Sequence, residues 1–156
     1  MIQRIQSLLL LIAAGISVAI TFLTIGNFNF ANTDFVYTAF HIQNMATGAT
    51  HSTFYVAGLW YISAILSLVT IFMYKNRPSQ VKLNGINMLV MLGALVTMLY
   101  LYPNFIFEKM IAGFKEDMMI FNHWVFLALI PAVCLFFANR AIKSDEKKVR
   151  AADRLR

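Results

Sequence analysis

Apolar positions dominate this chain in four long runs separated by short polar stretches. Ser7–Ile25 (SLLLLIAAGISVAITFLTI), Tyr55–Tyr74, Leu83–Tyr102 and Ile120–Asn139 contain no Lys, Arg, Asp or Glu. Each is about as long as a helix must be to cross a hydrocarbon core of ~30 Å. The pattern predicts four transmembrane helices over about 7–25, 55–74, 83–102 and 120–139. The first run is too long for a signal-peptide core and lacks a small-x-small cleavage site, so an uncleaved span is expected. Ala13, Ser17, Gly15 and Ala19 place small residues four apart in it, a spacing that admits a close helix neighbour but is also ordinary packing.

Between the first two runs the periodicity changes. Asp34–Gln43 (DFVYTAFHIQ) is dense in β-branched and aromatic residues, which favours a strand. Phe35, Tyr37, Ala39 and His41 then face one way, and Val36, Thr38, Phe40 and Ile42 the other. NMATGAT supplies turn residues and HSTFYV a returning strand, so a small hairpin resting on the helix ends is predicted. Pro78 and Pro103 read as helix stops, and Pro131 as a kink over Leu127–Pro131. Phe107, Ile111, Phe114 and Met118 share one face of a short helix suited to lying in an interface.

Charge gives these elements a direction. Of 13 basic residues, Arg4, Lys75, Arg77, Lys82 and the tail's Arg140, Lys143, Lys147, Lys148, Arg150, Arg154 and Arg156 flank one side of the spans, leaving only Lys109 and Lys115 opposite. By the positive-inside rule both termini face the cytoplasm and the β-like first loop lies outside. Composition agrees with membrane residence: 60% of residues are hydrophobic and 13% charged, against ~25% charged in a soluble domain. The net charge of +6 clusters at segment ends, so topology accounts for it and no DNA partner is expected. Cys134 is the one cysteine, which excludes an internal disulfide and a cysteine-based metal site. The expected fold class is therefore an all-α membrane protein, a four-transmembrane-helix bundle with a small extracytoplasmic β-like loop and a cytoplasmic basic helix. The membrane domain covers 1–143 and the charged tail 144–156.

Candidate chemistry is sparse. No charged residue lies deep in a span, which counts against pumps and ion-coupled carriers. His41, His51 and His123 map to the outer side and, with Asp34, offer donors for a metal or haem, but their spacing fits no ligand motif. Neither a catalytic constellation nor a cofactor is expected. The tail has three readings: a solvated topology anchor, a tether to anionic lipid, or a docking helix for a protein or RNA. Asp145, Glu146 and Asp153 break its positive charge, and Ile142, Val149, Ala152 and Leu155 form a narrow apolar stripe. That mixture favours a protein partner. The candidate partner-binding residues are Lys147, Lys148, Val149, Arg150, Ala152, Arg154, Leu155 and Arg156. The sequence leaves open whether this helix continues the fourth span or starts afresh after a bend at Lys143–Ser144.

MIQRIQ at the start, MYKNRPSQVKLN in the middle and ANRAIKSDEKKVRAADRLR at the end resemble a bacterial family of small integral membrane proteins described only as a domain of unknown function. The resemblance covers the whole chain and implies four spans, a Gram-negative inner membrane and no assigned activity. Members often carry a cysteine near the position of Asn84, so any role of that thiol does not carry over. Gly58-Leu59-Trp60 after a strand-like loop also resembles the claudin-like layout, without its paired loop cysteines. The expected function is a non-enzymatic accessory or scaffolding subunit, embedded in the lipid bilayer, that engages another membrane or cytoplasmic protein. RNA or the ribosome has no specific support. The competing expectation is a carrier or sensor of a small apolar ligand, such as a quinone or lipid, among Met88, Met91, Met98, Met118 and Met119.

Overall fold

The structure is a computed structural model that describes residues 2–30, 32–74, 76–110 and 119–154. Four long helices carry most of the chain: α1 (Ile2–Ile20), α2 (Phe54–Phe72), α3 (Arg77–Val96) and α5 (Leu129–Arg154), with a single turn, α4, at Phe107–Met110. They pack as a ring in which α1 touches α2 and α5, and α3 touches α2 and α5. Three stretches, Phe54–Phe72, Arg77–Phe105 and His123–Val149, are long and apolar enough to cross a membrane, while Ile5–Ile20 is a shorter apolar helix. The outward faces stay oily, with Leu89 69% exposed and Phe72 79% exposed. Apolar patches of that extent on a folded protein mark a surface meant for lipid or a partner.

An all-α bundle is not what forms. Five strands build one antiparallel sheet, β1 (Thr24–Phe30), β2 (Thr33–Thr38), β3 (His41–Asn44), β4 (Thr50–Ser52) and β5 (Met119–Phe121), in the order β4-β3-β2-β1-β5. The fold is mixed α and β. The predicted hairpin was the right kind of structure but too small, because two stretches assigned to spans are strands. α1 stops at Ile20, where Thr21, Phe22 and Leu23 bond back to the carbonyls of Val18, Ala19 and Ile20. Thr24 and Ile25 then open β1, and Ile120 lies in β5 rather than in the fourth helix. Tertiary pairing overrides apolar content here: Phe28 is registered against Phe35 on one side and Met119 on the other. The expected alternation holds for Phe35, Tyr37 and Ala39, all buried, and then reverses, leaving Ile42 buried and His41 half-buried. The cause is a bend at Ala39–Phe40, closed by Thr38 Oγ1, which donates to the His41 carbonyl at 2.8 Å.

The prolines act differently from expectation. α2 already ends at Phe72, capped at Met73, and Pro78 sits instead in the first turn of α3, where its missing N–H is harmless; Asn76 caps that helix by accepting from the Ser79 amide at 3.3 Å. Pro103 lies inside a wide π-helical segment, Thr97–Ile106, that carries the chain from α3 to α4 without a stop. Pro131 falls in the first turn of α5, just after a 3₁₀ segment at His123–Ala128, so the expected kink is instead a change of helix type. The predicted interfacial helix falls mostly on 111–118, outside the described residues.

One hydrophobic core joins helices and sheet. Leu10, Trp60, Met91 and Leu135 fill the ring, and Ile25, Phe28, Tyr37 and Ile42 extend the same cluster under the sheet. Phe28 stacks on Phe35 with ring centres 4.9 Å apart, and Phe107 meets Tyr37 edge-on at 4.9 Å. The sheet thus caps one end of the helix ring. At the other end, the α2–α3 connection meets α5.

Candidate functional site

At that second end the chain assembles its cationic pieces. Arg77, at the start of α3, donates to the Asp145 carboxylate at 3.1 Å and to the Asp145 carbonyl at 3.3 Å. This clamp fixes α5 as it leaves the ring. The helix continues without interruption to Arg154, which settles the choice between continuation and bend: Ser144, Asp145 and Glu146 lie mid-helix and start nothing. Leu135, Ala138, Ile142, Asp145 and Val149 recur at the three- and four-residue spacing of a single seam. Leu135 and Ala138 are fully buried and Ile142 is 1% exposed, whereas Val149 is 42% exposed. The seam therefore outlasts the neighbours that cover it. Among the expected partner residues, Lys147 and Lys148 are exposed beside Val149; Arg150, Ala152 and Arg154 continue the helix, and Leu155 and Arg156 lie outside the described residues. Ile142, predicted as part of the exposed stripe, belongs to the interior.

Inside the ring, polarity is present but uncharged. Asn87 accepts from Ser63 Oγ at 2.7 Å and donates to Ser67 Oγ at 2.8 Å, bridging α3 to α2. Gln80 donates to the Thr70 carbonyl at 3.0 Å, and Asn84 donates to the Leu135 carbonyl of α5 at 3.0 Å. Sequence reasoning did not single out this polar layer. A signal existed: Ser63, Ser67 and Thr70 on α2, and Gln80, Asn84 and Asn87 on α3, share the same i, i+4, i+7 spacing. Asn84 Oδ1 is buried without a partner among the described residues. None of the buried side chains described is charged.

The sheet end offers no gathered donor set. His41 is half-buried in β3, His51 is exposed in β4 and His123 is exposed where the 3₁₀ segment begins. Among the described residues no three His, Cys, Asp or Glu side chains come together. Asp34 is held instead by Asn29 Nδ2 at 2.7 Å. Tyr37 donates to the Met98 carbonyl at 3.3 Å; burial pushes its phenol above the ordinary value, and neighbouring Tyr102 adds to the shift.

A family model, described as "Domain of unknown function (DUF4293)", matches residues 2–155. The chain belongs to this family. A search of the curated proteins found no match, and a search of the solved structures found none either. The family description assigns no reaction, so the chemistry open to this DUF4293 chain is what its surfaces allow. Besides the seam at Val149, two neighbouring concavities are formed by described residues. Met88 and Leu92 of α3, with Ala132, Val133, Phe136 and Phe137 of α5, line an apolar groove of about 360 Å³ on the outer face of the ring. Beyond Phe136, a second pocket of about 410 Å³ is lined by Asn139, Arg140, Lys143, Ser144 and Lys147.

Proposed function

We propose that this protein is a non-enzymatic accessory or scaffolding subunit of a bacterial inner membrane, with both termini cytoplasmic, that engages a protein partner through the seam of α5. The observation that carries this is the run from Leu135 through Ile142, buried, to Val149, 42% exposed, on one uninterrupted helix. A seam that is covered and then uncovered invites a partner helix to continue the packing, as a and d positions do in coiled coils. The Arg77–Asp145 clamp holds that surface in a fixed direction, which lowers the ordering cost of association. The oily outer faces and the cations gathered at one end support the membrane placement and orientation.

The test is a photo-crosslinking residue at position 149 in intact membranes. A discrete adduct that disappears when Leu155→Asp is added, yet survives Lys147→Gln with Lys148→Gln, is the expected result. An adduct pattern governed by the two lysines and indifferent to Leu155 would make the tail an electrostatic tether and sink the scaffolding assignment.

A second reading, a carrier or sensor of a small apolar ligand, is favoured by the groove between α3 and α5. Its walls are almost wholly hydrocarbon.

A further inference from the structure

The groove and the cationic pocket adjoin. Phe136 lines both, and Asn139 Nδ2 reaches Met88 Sδ at 3.9 Å, tying the two walls together where they meet. Arg140, Lys143 and Lys147 follow at three- and four-residue spacing, so they stack on one face of α5. Among the described residues no acid lines that pocket, and Asp145 is drawn to Arg77 at 3.1 Å. At ~3.6 residues per turn this face points away from Val149 and the partner seam. Three like charges side by side repel one another, and a bound anion relieves that repulsion.

We infer that this groove holds an anionic phospholipid of the inner leaflet, with an acyl chain against Val133 and Phe136 and its phosphate on Arg140, Lys143 and Lys147. The dimensions fit. Ala132 to Lys147 spans roughly 22 Å at ~1.5 Å per residue, about the depth of one leaflet including its headgroups, half of the ~40–45 Å bilayer. Val133 and Phe136 are each 51% exposed, so the trough is open sideways to lipid rather than enclosed. A quinone would leave the three cations unmatched, and a free phosphate would leave the trough empty. The inference rests on the apolar-ligand reading of the groove and names its ligand; it does not depend on the partner seam.

Native mass spectrometry of the full chain in mild detergent tests it, with dioleoylphosphatidylglycerol, dioleoylphosphatidylcholine and glycerol 3-phosphate as probes. The anionic lipid is expected to be retained over the neutral one by about fivefold for each cation engaged. Arg140→Gln with Lys143→Gln removes that preference while phosphatidylcholine binding persists, and Val133→Trp weakens both lipids by filling the trough. Lys148→Gln, an equal charge change per residue on a different face, leaves the preference in place. All four positions are exposed, so these changes spare the core. Equal retention of the two lipids would overturn the anionic site while leaving an apolar-ligand groove. Loss of both lipids on Val133→Trp without any charge preference in the wild type would overturn it in the same way. Competition by glycerol 3-phosphate as strong as by the intact lipid would reduce the feature to a phosphate pocket. A Lys148→Gln effect as large as that of Arg140→Gln would reduce it to a diffuse tether.

Discussion

Replacing Asn87 with Leu isolates what the buried amide layer contributes. The two side chains have the same branching at Cγ, so no cavity opens; the bulkier leucine methyls add crowding at this buried site, and the comparison with Asn84→Leu, which carries the same steric change, isolates the hydrogen bonds. Two bonds between α2 and α3 are lost, from Ser63 at 2.7 Å and to Ser67 at 2.8 Å. Interhelical bonds within a membrane average about 0.6 kcal/mol each, so losing both contributes about 1 kcal/mol. That contribution stays near this figure because the serines are not stranded. Ser67 Oγ also donates to the Ser63 carbonyl at 2.9 Å, and the Ser63 hydroxyl can turn to a carbonyl of its own helix. Asn84→Leu is the contrasting case. It forfeits one bond, to the Leu135 carbonyl at 3.0 Å, but also removes a buried oxygen that has no partner among the described residues. Relief of that desolvation, about 1–3 kcal/mol, offsets the lost bond and makes Asn84→Leu the less costly of the two. Steric-trap unfolding in bicelles measures both variants, and a double-mutant cycle of Asn87→Leu with Ser63→Ala gives the coupling. An Asn87→Leu variant as stable as wild type, or an Asn84→Leu variant that is the weaker of the two, would refute this account.

Gly26→Ala brings a Cβ to 3.0 Å from the Ile120 carbonyl oxygen, a backbone atom that cannot swing away. A loss of about 1–3 kcal/mol is expected, with faster amide exchange at Asn122, whose N–H donates to the Ile25 carbonyl; Gly58→Ala, with open space around it, should be neutral or stabilising. Tyr37 binds its proton more tightly in the folded state than in the unfolded one. Its contribution to stability is therefore whole below the ordinary tyrosine value of ~10 and falls as pH rises above it, and Tyr37→Phe should flatten that part of a pH-dependent melting curve. A periplasm-active reporter placed in the exposed Thr47–Thr50 turn should give signal, and the same reporter after Arg156 should give none; the opposite pattern would invert the orientation.

Much of this architecture is legible in the order of residues. Apolar runs at Tyr55–Tyr74 and Leu83–Tyr102 announce α2 and α3 because a hydrocarbon solvent asks only for length and continuous apolarity. The extended character of Asp34–Gln43 is also visible, through its β-branched and aromatic density. Less visible are the ends of the runs. Thr24, Ile25 and Ile120 are as apolar as a span requires, and nothing local to them distinguishes the last turn of a helix from a strand.

What the sequence determines by itself is burial preference and charge asymmetry, both local properties that sum along the chain. Which partner satisfies a given backbone group is not local. β1 is a strand because β2 and β5 lie on either side of it, and β5 comes from far along the chain. The same holds for the site. The cations of the tail and of the α2–α3 connection are countable in the sequence, yet only the packed ring places Arg77 on Asp145, buries Ile142 and leaves Val149 uncovered. Helical spacing sets the seam; the length of the neighbouring helices decides where it opens.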